Sequence, residues 1–327
     1  MKQHNPRERQ TFANLRLPSL HVGHGVECGS ITVFPVWTDG TAVPALDWSG
    51  KGLVIDEVDG GSVPQLRVTN TTDQPQLILE GDILEGGRQD RMAGETVLVM
   101  PGESIVIPVN CVEAGRWNSG RGHRSTGLKT SYSVRDARRR AIKENRGDGQ
   151  GDVWNRIARI EEGLGEFSGT SNFKERTTIR QEKVRLIKEM ESVEDFTNAM
   201  MSADDETRVS PALLSPLDGQ RGVIIGIGGE VVAVEVFATA DAFAERWEGI
   251  AIAAGIDGQF APVRKTTSHA ARGFIRKLEG AKLAVNPKGD FRFDGDDVTI
   301  TGVARELDEA VVLQFTATND NAKALVG

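Results

Sequence analysis

The segment PVNCVEAGRW, residues 108–117, places a thiol, a carboxylate, a guanidinium and an indole close together. To act as a nucleophile, Cys111 needs a lowered thiol pKa, which a neighbouring cation or base supplies. Arg116 and Arg88 are candidate cations, whereas His123 follows twelve residues after the cysteine in a glycine-rich stretch typical of a flexible loop. The segment is therefore a reactive site, a ligand clamp or the end of a buried strand.

Strand parity separates the roles of the two central residues. Alternate residues of a strand share a face, so Cys111 and Glu113 continue an apolar face whose other members are Ile105, Ile107 and Val109. A cysteine in line with aliphatic residues is usually a small buried hydrophobe, so Cys111 is the weaker candidate nucleophile. A buried Glu113 needs a partner, such as Arg116 or Arg91. Glu113 is therefore either part of a structural ion pair or an acid that orients a ligand. For Trp117 the sequence favours a role in core packing over stacking on a ligand.

A second polar stretch, EGDILEGGRQDRMAGE at residues 80–95, directly follows a predicted strand. Its Gly-Gly pair allows close approach of the backbone to a ligand, and its arginines suit an anion or nucleotide clamp. The alternative is a solvated hairpin loop. The density of charge in residues 88–91 favours the clamp, because a short connection needs no such polarity.

Residues 116–146 concentrate positive charge, with ten lysines and arginines against two acidic residues, a local balance of +8 on a chain of net charge −8. The run RDARRRAIK, residues 135–143, predicts a helix with basic side chains around much of its circumference. This helix is either a solvated face neutralised by the acidic helices predicted within 152–205, or a surface for an anionic ligand or phosphorylated partner. Sequence-specific DNA binding is not expected, because no base-reading motif accompanies the charge.

The composition excludes several classes of protein. The chain of 327 residues is 39% hydrophobic and 26% charged, as expected of a globular protein with a core. Its aromatic content of 6% and net charge of −8 argue against base-stacking platforms and general nucleic-acid affinity. The N-terminal stretch lacks an apolar signal region, and no apolar run approaches the roughly 18 residues that span a bilayer. We therefore expect a cytoplasmic protein without membrane contact, and the five scattered histidines predict no metal site.

The chain divides by pattern into three segments. Short runs rich in Val, Ile and Thr predict strands at 30–37, 52–58, 65–70, 76–84, 96–100 and 104–113. Helical periodicity follows in the charged middle, with Asp152 placed to cap one helix, and a hairpin is predicted at Gly228-Gly229. The predicted fold is α+β: an N-terminal antiparallel β-sandwich or barrel (12–127), a charged helical segment (128–210) and a smaller C-terminal αβ unit (211–327).

Four motifs occur in a recognisable order: GDILEGGRQDR, IPVNCVEAGRW, GDVWNRIARI and GVIIGIGGEVVAVEVFATADAFAERWEGI. In this order the chain resembles the ARG and Rhodanese-Phosphatase-superfamily-associated protein family from about residue 15 to 260. This prokaryotic family is named for its gene-neighbourhood association with ADP-ribosylglycohydrolases and rhodanese-phosphatase proteins. The resemblance implies a link to the metabolism of NAD-derived or ADP-ribose-like nucleotides, and no activity is assigned to the family as a whole.

The resemblance also implies site residues. The polar motif positions of the family fall on Gly87, Arg88, Gln89, Arg91, Cys111, Glu113, Arg116 and Trp117. The family typically has Asn where this chain has Asp90, so no role of the Asp90 side chain follows from the resemblance.

The main hypothesis is a protein that binds or processes a phosphorylated, nucleotide-like small molecule. Arg88, Arg91 and Arg116 would hold its anionic groups, while Gln89 and Glu113 would fix ribose or base. An enzyme of this kind would use Glu113 as general acid or base, and the sequence leaves both the cofactor and the reaction open. The alternative is a non-catalytic interaction protein whose basic helix docks a partner or RNA and whose Arg/Glu motif is an internal staple. Either version is compatible with a homodimer.

Overall fold

The computed structural model describes residues 15–39, 43, 46–58, 64–113, 120, 122–164, 172–188, 215–279, 281–286, 288–306 and 310–325. The fold is α+β, as predicted. The strands are β1 (Leu20–Val22), β2 (Val26–Cys28), β3 (Ile31–Thr38), β4 (Leu53–Glu57), β5 (Gln65–Asn70), β6 (Gln76–Ile78), β7 (Asp82–Gly86), β8 (Arg91–Ala93), β9 (Val97–Val99), β10 (Ser104–Cys111), β11 (Gly122–Lys129), β12 (Gly222–Ile227), β13 (Glu230–Phe237), β14 (Ala284–Val285), β15 (Asp290–Asp294), β16 (Val298–Glu306) and β17 (Ala310–Asn319). The helices are α1 (Tyr132–Lys143), α2 (Gln150–Gly163), α3 (Phe173–Lys188), α4 (Ala240–Gly258) and α5 (Ser268–Leu278), with a 3-10 turn at Lys323–Leu325.

Six strands close an antiparallel barrel in the order β10-β5-β4-β11-β7-β8. Alternate residues point inwards, so β4 places Leu53 and Ile55 inside while Val54 and Asp56 are exposed. The other interior side chains are also aliphatic and include Leu66, Val68, Leu84, Ala93, Ile107 and Val109. The N-terminal antiparallel β-structure is therefore confirmed in its barrel form.

A nine-stranded sheet combines both ends of the chain. Its order is β1-β3-β12-β13-β17-β16-β15-β14, and β2 also pairs with β3. β3 runs antiparallel to β12, with Ile31 opposite Ile227 and Val36 opposite Gly222. The division at 127 and 210 stays a prediction; in the structure, β1–β3 lie in the sheet of the C-terminal segment rather than in the barrel.

The sheet separates two apolar cores. Adjacent residues of β3 alternate between them: Val33 belongs to a cluster with Trp247 of α4, and Phe34 to a cluster with Phe274 of α5. A strand buried on both faces produces a nearly continuous apolar run, and β3 reads ITVFPVWT. The barrel and α4 thus lie on one face of the sheet and α5 lies on the other.

Local chemistry explains where several elements begin and end. The predicted strand 76–84 is two strands, because Gly81 adopts a positive φ of 89° and turns the chain. The predicted Asp152 cap is wrong: Gly149 is the N-cap of α2, and Asp152 lies in the first turn. The Gly228-Gly229 hairpin is confirmed, with positive φ at both glycines. Among the described helices, none is long and apolar enough to cross a membrane.

Candidate functional site

One end of the barrel interior is polar. On β4, Glu57 lies two residues after the interior Ile55 and points to the same side. On β8, Arg91 lies two residues before the interior Ala93 and also points inwards. His123, near the start of β11, pairs with Ile55 across the ladder and therefore shares its face. β4, β7 and β10 finish at this end, and β5, β8 and β11 start there. Ligand sites often lie in the mouth of a barrel, above an aliphatic interior.

Glu57, Arg91 and His123 form a barrel-end cluster. Glu57 Oε1 lies 4.0 Å from Arg91 Nη2 and 3.9 Å from His123 Nε2. The side chains of Arg91 and His123 are 0% exposed, and that of Glu57 is 9% exposed. Within the described part of the chain, four buried atoms of these three residues lack a hydrogen-bond partner: Glu57 Oε2, Arg91 Nε, Arg91 Nη2 and His123 Nδ1.

The two sequence motifs meet beside this cluster. Gln89 Nε2 donates to the Glu113 carbonyl at 2.9 Å, and the Asp90 backbone N–H donates to Glu113 Oε2 at 3.1 Å. Gln89 Oε1 accepts from Arg91 Nη1 at 3.1 Å, so the contact chain runs from Glu113 to Arg91. Asp90 Oδ1 accepts from the Gly86 N–H at 2.8 Å and holds the β7–β8 turn. The structure therefore brings residues 86–91 and 111–113 together.

Cys111 is fully buried, as strand parity predicts. Its Sγ donates to the Glu113 carbonyl at 2.9 Å. Burial raises the pKa of the Cys111 thiol, and the neighbouring Arg91 charge does not reverse this. A thiol with a raised pKa and no exposure is poorly activated as a nucleophile. The catalytic roles of Cys111 and Glu113 stay predictions, and the geometry favours Glu113.

The remaining predicted residues have different positions. Gly87 has a φ of 53°, and a Cβ there would overlap the His123 ring, so the turn requires glycine. The Arg88 backbone N–H donates to Glu57 Oε1 at 3.2 Å, and its side chain is half-buried. Arg116 and Trp117 lie outside the described residues, in the stretch between Glu113 and Gly122.

Sequence reasoning missed Glu57 and His123. The glycines of SGRGHRS predict a flexible loop, yet His123 belongs to β11 and its Nε2 donates to the Gln89 carbonyl oxygen at 3.2 Å. Burial lowers the pKa of His123, and the Gln89 carbonyl and Glu57 only partly offset this effect. The ring is therefore neutral at pH 7. The signal that was available is the alternation in HRST, where His123 and Ser125 point inwards and Arg124 points outwards.

The basic segment is largely internal. Lys129, Arg135, Arg138 and Arg139 are all buried. Their partners lie on strands and strand ends rather than on the acidic helices predicted within 152–205, and they include Glu235, Asn110, Thr318 and Glu80. The interpretation as a solvated face is therefore wrong for these four side chains. It holds better for Lys143 and Arg146, whose side chains are about half exposed.

Comparison with protein families is consistent with this architecture. The profile of the ARG and Rhodanese-Phosphatase-superfamily-associated Protein domain matches residues 19–318. The chain belongs to this family. The matched range covers both the barrel and the nine-stranded sheet of this chain, including the β3–β12 pairing and the barrel-end cluster. No curated protein and no solved structure gives a significant match.

Proposed function

We propose that this protein binds a phosphorylated, nucleotide-like small molecule, related to ADP-ribose or NAD, at the polar end of the barrel. The observation that carries the proposal is the barrel-end cluster, in which four buried donor and acceptor atoms lack partners among the described residues. Leaving a buried polar group unsatisfied costs about 1–3 kcal/mol, more for a charged one. Three such residues at one barrel end favour a site that a polar ligand completes.

The chemistry of the cluster matches both halves of such a ligand. Arg91 offers Nε and Nη2 to an anionic oxygen, the charge-assisted geometry that guanidinium groups use with phosphate. Glu57 Oε2 is an acceptor suited to a ribose hydroxyl. His123 Nδ1 is an acceptor, because the neutral ring carries its proton on Nε2, which donates to the Gln89 carbonyl. A phosphorylated ribose carries hydroxyl donors and anionic acceptors together.

The motif residues support this site in two ways. Gln89 positions Arg91 through its hydrogen bond to Nη1, and the Glu113 carbonyl fixes Gln89. Arg88 is proposed to add positive charge at the barrel mouth, and Gly87 leaves room for the His123 ring. Arg116 and Trp117 stay predicted ligand-binding residues and lie outside the described part of the chain. Processing of the ligand would use Glu113 as general acid or base.

Isothermal titration calorimetry with ADP-ribose and NAD tests the binding. The Arg91→Gln variant removes the central cation, and Arg124→Gln is the matched control because Arg124 lies on β11 with a 75% exposed side chain. We expect both ligands to bind the wild type, Arg91→Gln to weaken binding by at least about tenfold, and Arg124→Gln to keep it.

Two results would contradict the proposal. If neither nucleotide binds the folded wild type, and Arg91→Gln merely lowers the melting temperature, the cluster is an internal staple. Equal losses in Arg91→Gln and Arg124→Gln would indicate nonspecific electrostatics. The Glu113→Gln variant then separates binding from processing, because an acid–base role predicts retained binding with lost product formation.

A further inference from the structure

A second group of buried charges lies between α1 and the nine-stranded sheet. It is at the Asp82 end of β7, whereas the barrel-end cluster is at the Gly86 end. Thr316 of β17 pairs with Glu235 of β13 on one side and with Thr301 of β16 on the other. Cross-strand partners point to the same face, so these three side chains form a polar row. Arg135 and Arg139 reach this face from α1, and Glu80 reaches it from the turn before β7. We call these residues the interlayer cluster.

The contacts of the cluster are specific. Arg135 Nη1 donates to Glu235 Oε1 at 3.3 Å, and Arg139 Nη1 donates to the hydroxyl of Thr318 at 2.6 Å. The Thr301 hydroxyl donates to Glu80 Oε2 at 3.2 Å. The two arginine side chains are 3% and 8% exposed, and their nearest carboxylates are 0% and 7% exposed.

Both arginines have unused donors. Within the described residues, Nε and Nη2 of Arg135 and Nε of Arg139 have no hydrogen-bond partner, although all three atoms are buried. Arg139 Nε lies 3.9 Å from Glu80 Oε1, which is too far for a hydrogen bond. Two neighbouring guanidinium groups therefore present donors to the same polar interlayer.

The potential at Glu80 is positive, because four buried cations act on it: Lys129, Arg135, Arg138 and Arg139. Burial alone would raise the pKa of Glu80, yet Arg139, Arg135, Arg138 and Lys129 lower it below its ordinary value. The pKa of Glu235 falls to about 2 because Lys129 and Arg135 overcome the effect of its burial.

We propose that the interlayer cluster is a second anion site, which binds inorganic phosphate between Arg135 and Arg139. A tetrahedral oxyanion can accept from both guanidinium groups at once. Hydrogen phosphate also retains a proton to donate to the ionised Glu80, whereas sulfate carries none at neutral pH. A site built around such an acceptor discriminates against the anion that lacks the proton.

This site is distinct from the barrel-end cluster and does not depend on the proposed nucleotide site. β7 runs from Asp82, next to the interlayer cluster, to Gly86, at the barrel end. At about 3.3 Å per residue, β7 alone separates the two sites by roughly 13 Å. Thr301, whose hydroxyl donates to Glu80, is half-buried.

Calorimetric titration of the whole protein with sodium phosphate, and separately with sodium sulfate, tests the proposal in a buffer free of both anions. We expect phosphate to bind the wild type and sulfate to bind at least about tenfold more weakly. Arg139→Gln should weaken phosphate binding at least about tenfold. Lys143→Gln is the matched control, because Lys143 lies one turn further along α1 with a 51% exposed side chain. Arg91→Gln should leave this phosphate site unchanged.

Contrary outcomes are equally definite. Loss of phosphate binding in Arg91→Gln but not in Arg139→Gln would move the phosphate to the barrel end and overturn the proposal. Equal affinity for sulfate would overturn selection by Glu80, and no phosphate binding to the folded wild type would overturn the site itself. If Arg139→Gln does not fold, Thr318→Val removes only the hydroxyl that orients Arg139, and it should weaken binding several-fold while Lys143→Gln does not.

Discussion

At the scale of single residues, burial determines which titratable groups are suited to chemistry. Cys111 and His123 lie at the same end of the barrel, and burial acts on both, with opposite signs. It raises the pKa of the Cys111 thiol and lowers the pKa of the His123 imidazole, because in each case the charged form is disfavoured. The result is a protonated thiol and a neutral imidazole at pH 7. Of the two, only the neutral imidazole is in a state useful for hydrogen bonding to a ligand or for proton transfer.

The lowered pKa of His123 predicts a pH dependence of stability. A histidine takes up a proton more readily in the unfolded chain than in this buried position, so the free energy of unfolding falls as the pH drops below about 6.5. Replacing His123 with Gln should reduce the loss of stability between pH 7.5 and 5.5, measured by urea denaturation.

The exposed His269 gives the matched control variant, His269→Gln, which should keep the wild-type dependence because its side chain is solvated in both states. Buried carboxyls such as Asp257, whose pKa burial raises, act in the opposite sense. Comparing the two variants cancels that contribution. An unchanged pH dependence in His123→Gln would mean that the ring is protonated equally in the folded and unfolded chain.

At the scale of elements, the β7–β8 turn connects the fold to the candidate site. Gly87 and Gly102 both have positive φ, at 53° and 73°. A Cβ at Gly87 would overlap the His123 ring, whereas a Cβ at Gly102 would meet nothing within 4 Å. Alanine substitutions at these two glycines therefore distinguish the effect of backbone strain alone (Gly102) from strain combined with displacement of the His123 ring (Gly87).

We expect Gly102→Ala to lower the free energy of unfolding by about 1–2 kcal/mol through strain alone. Gly87→Ala should cost clearly more and should also weaken nucleotide binding, because the His123 ring must move. Urea denaturation and calorimetry with ADP-ribose measure the two effects. Equal destabilisation with unchanged binding would mean that the turn shifts as a unit and leaves the ring in place.

Local patterns predicted the elements better than their ends. The alternation in QLRVTN gave β5 with its observed bounds, and the glycine pair at 228–229 gave the β12–β13 hairpin. The break of 76–84 at Gly81 was missed because the apolar residues 77–79 and 83–84 on either side suggest one continuous strand, although Glu80, Gly81 and Asp82 between them form a polar turn sequence. Asp152 predicts a cap because aspartate is a common capping residue, whereas Gly149, which has no capping side chain, gives no comparable signal.

At the scale of the whole molecule, the determining contacts join residues that are far apart in sequence. Glu235 accepts hydrogen bonds from Lys129 and Tyr132, which lie more than one hundred residues away in the sequence. Arg246 donates to Asp82, from which it is separated by 164 residues. A single sequence gives no pairing information at that range, so the basic run predicts an exposed helix, although four of its cations are buried. The junction of Gln89 with Glu113 was predictable because two polar motifs ended neighbouring strands. Glu57 and His123 were not predicted because neither belongs to one of the two polar motifs.

The sheet built from both ends of the chain predicts that the C-terminal segment does not fold by itself. Residues 211–327 lack β3, so β12 loses one neighbour and the apolar side chains of Val223 and Ile224 lose part of their cover. Circular dichroism and the NMR shift dispersion of this fragment should show little fixed structure, in contrast to the full chain. A fragment with dispersed signals and cooperative unfolding would instead support the predicted boundary at 211.

The pairing of β3 with β12 also delays completion of the sheet during synthesis of the chain. β3 finishes at Thr38 and its partner starts at Gly222, so the ribosome must add the whole intervening stretch before the two strands can meet. At about 5–20 residues per second this takes roughly 10–40 s. The barrel strands emerge in that interval and are able to close first. During this time the apolar β3 lacks its partner β12, so we expect a chaperone to bind it on the nascent chain.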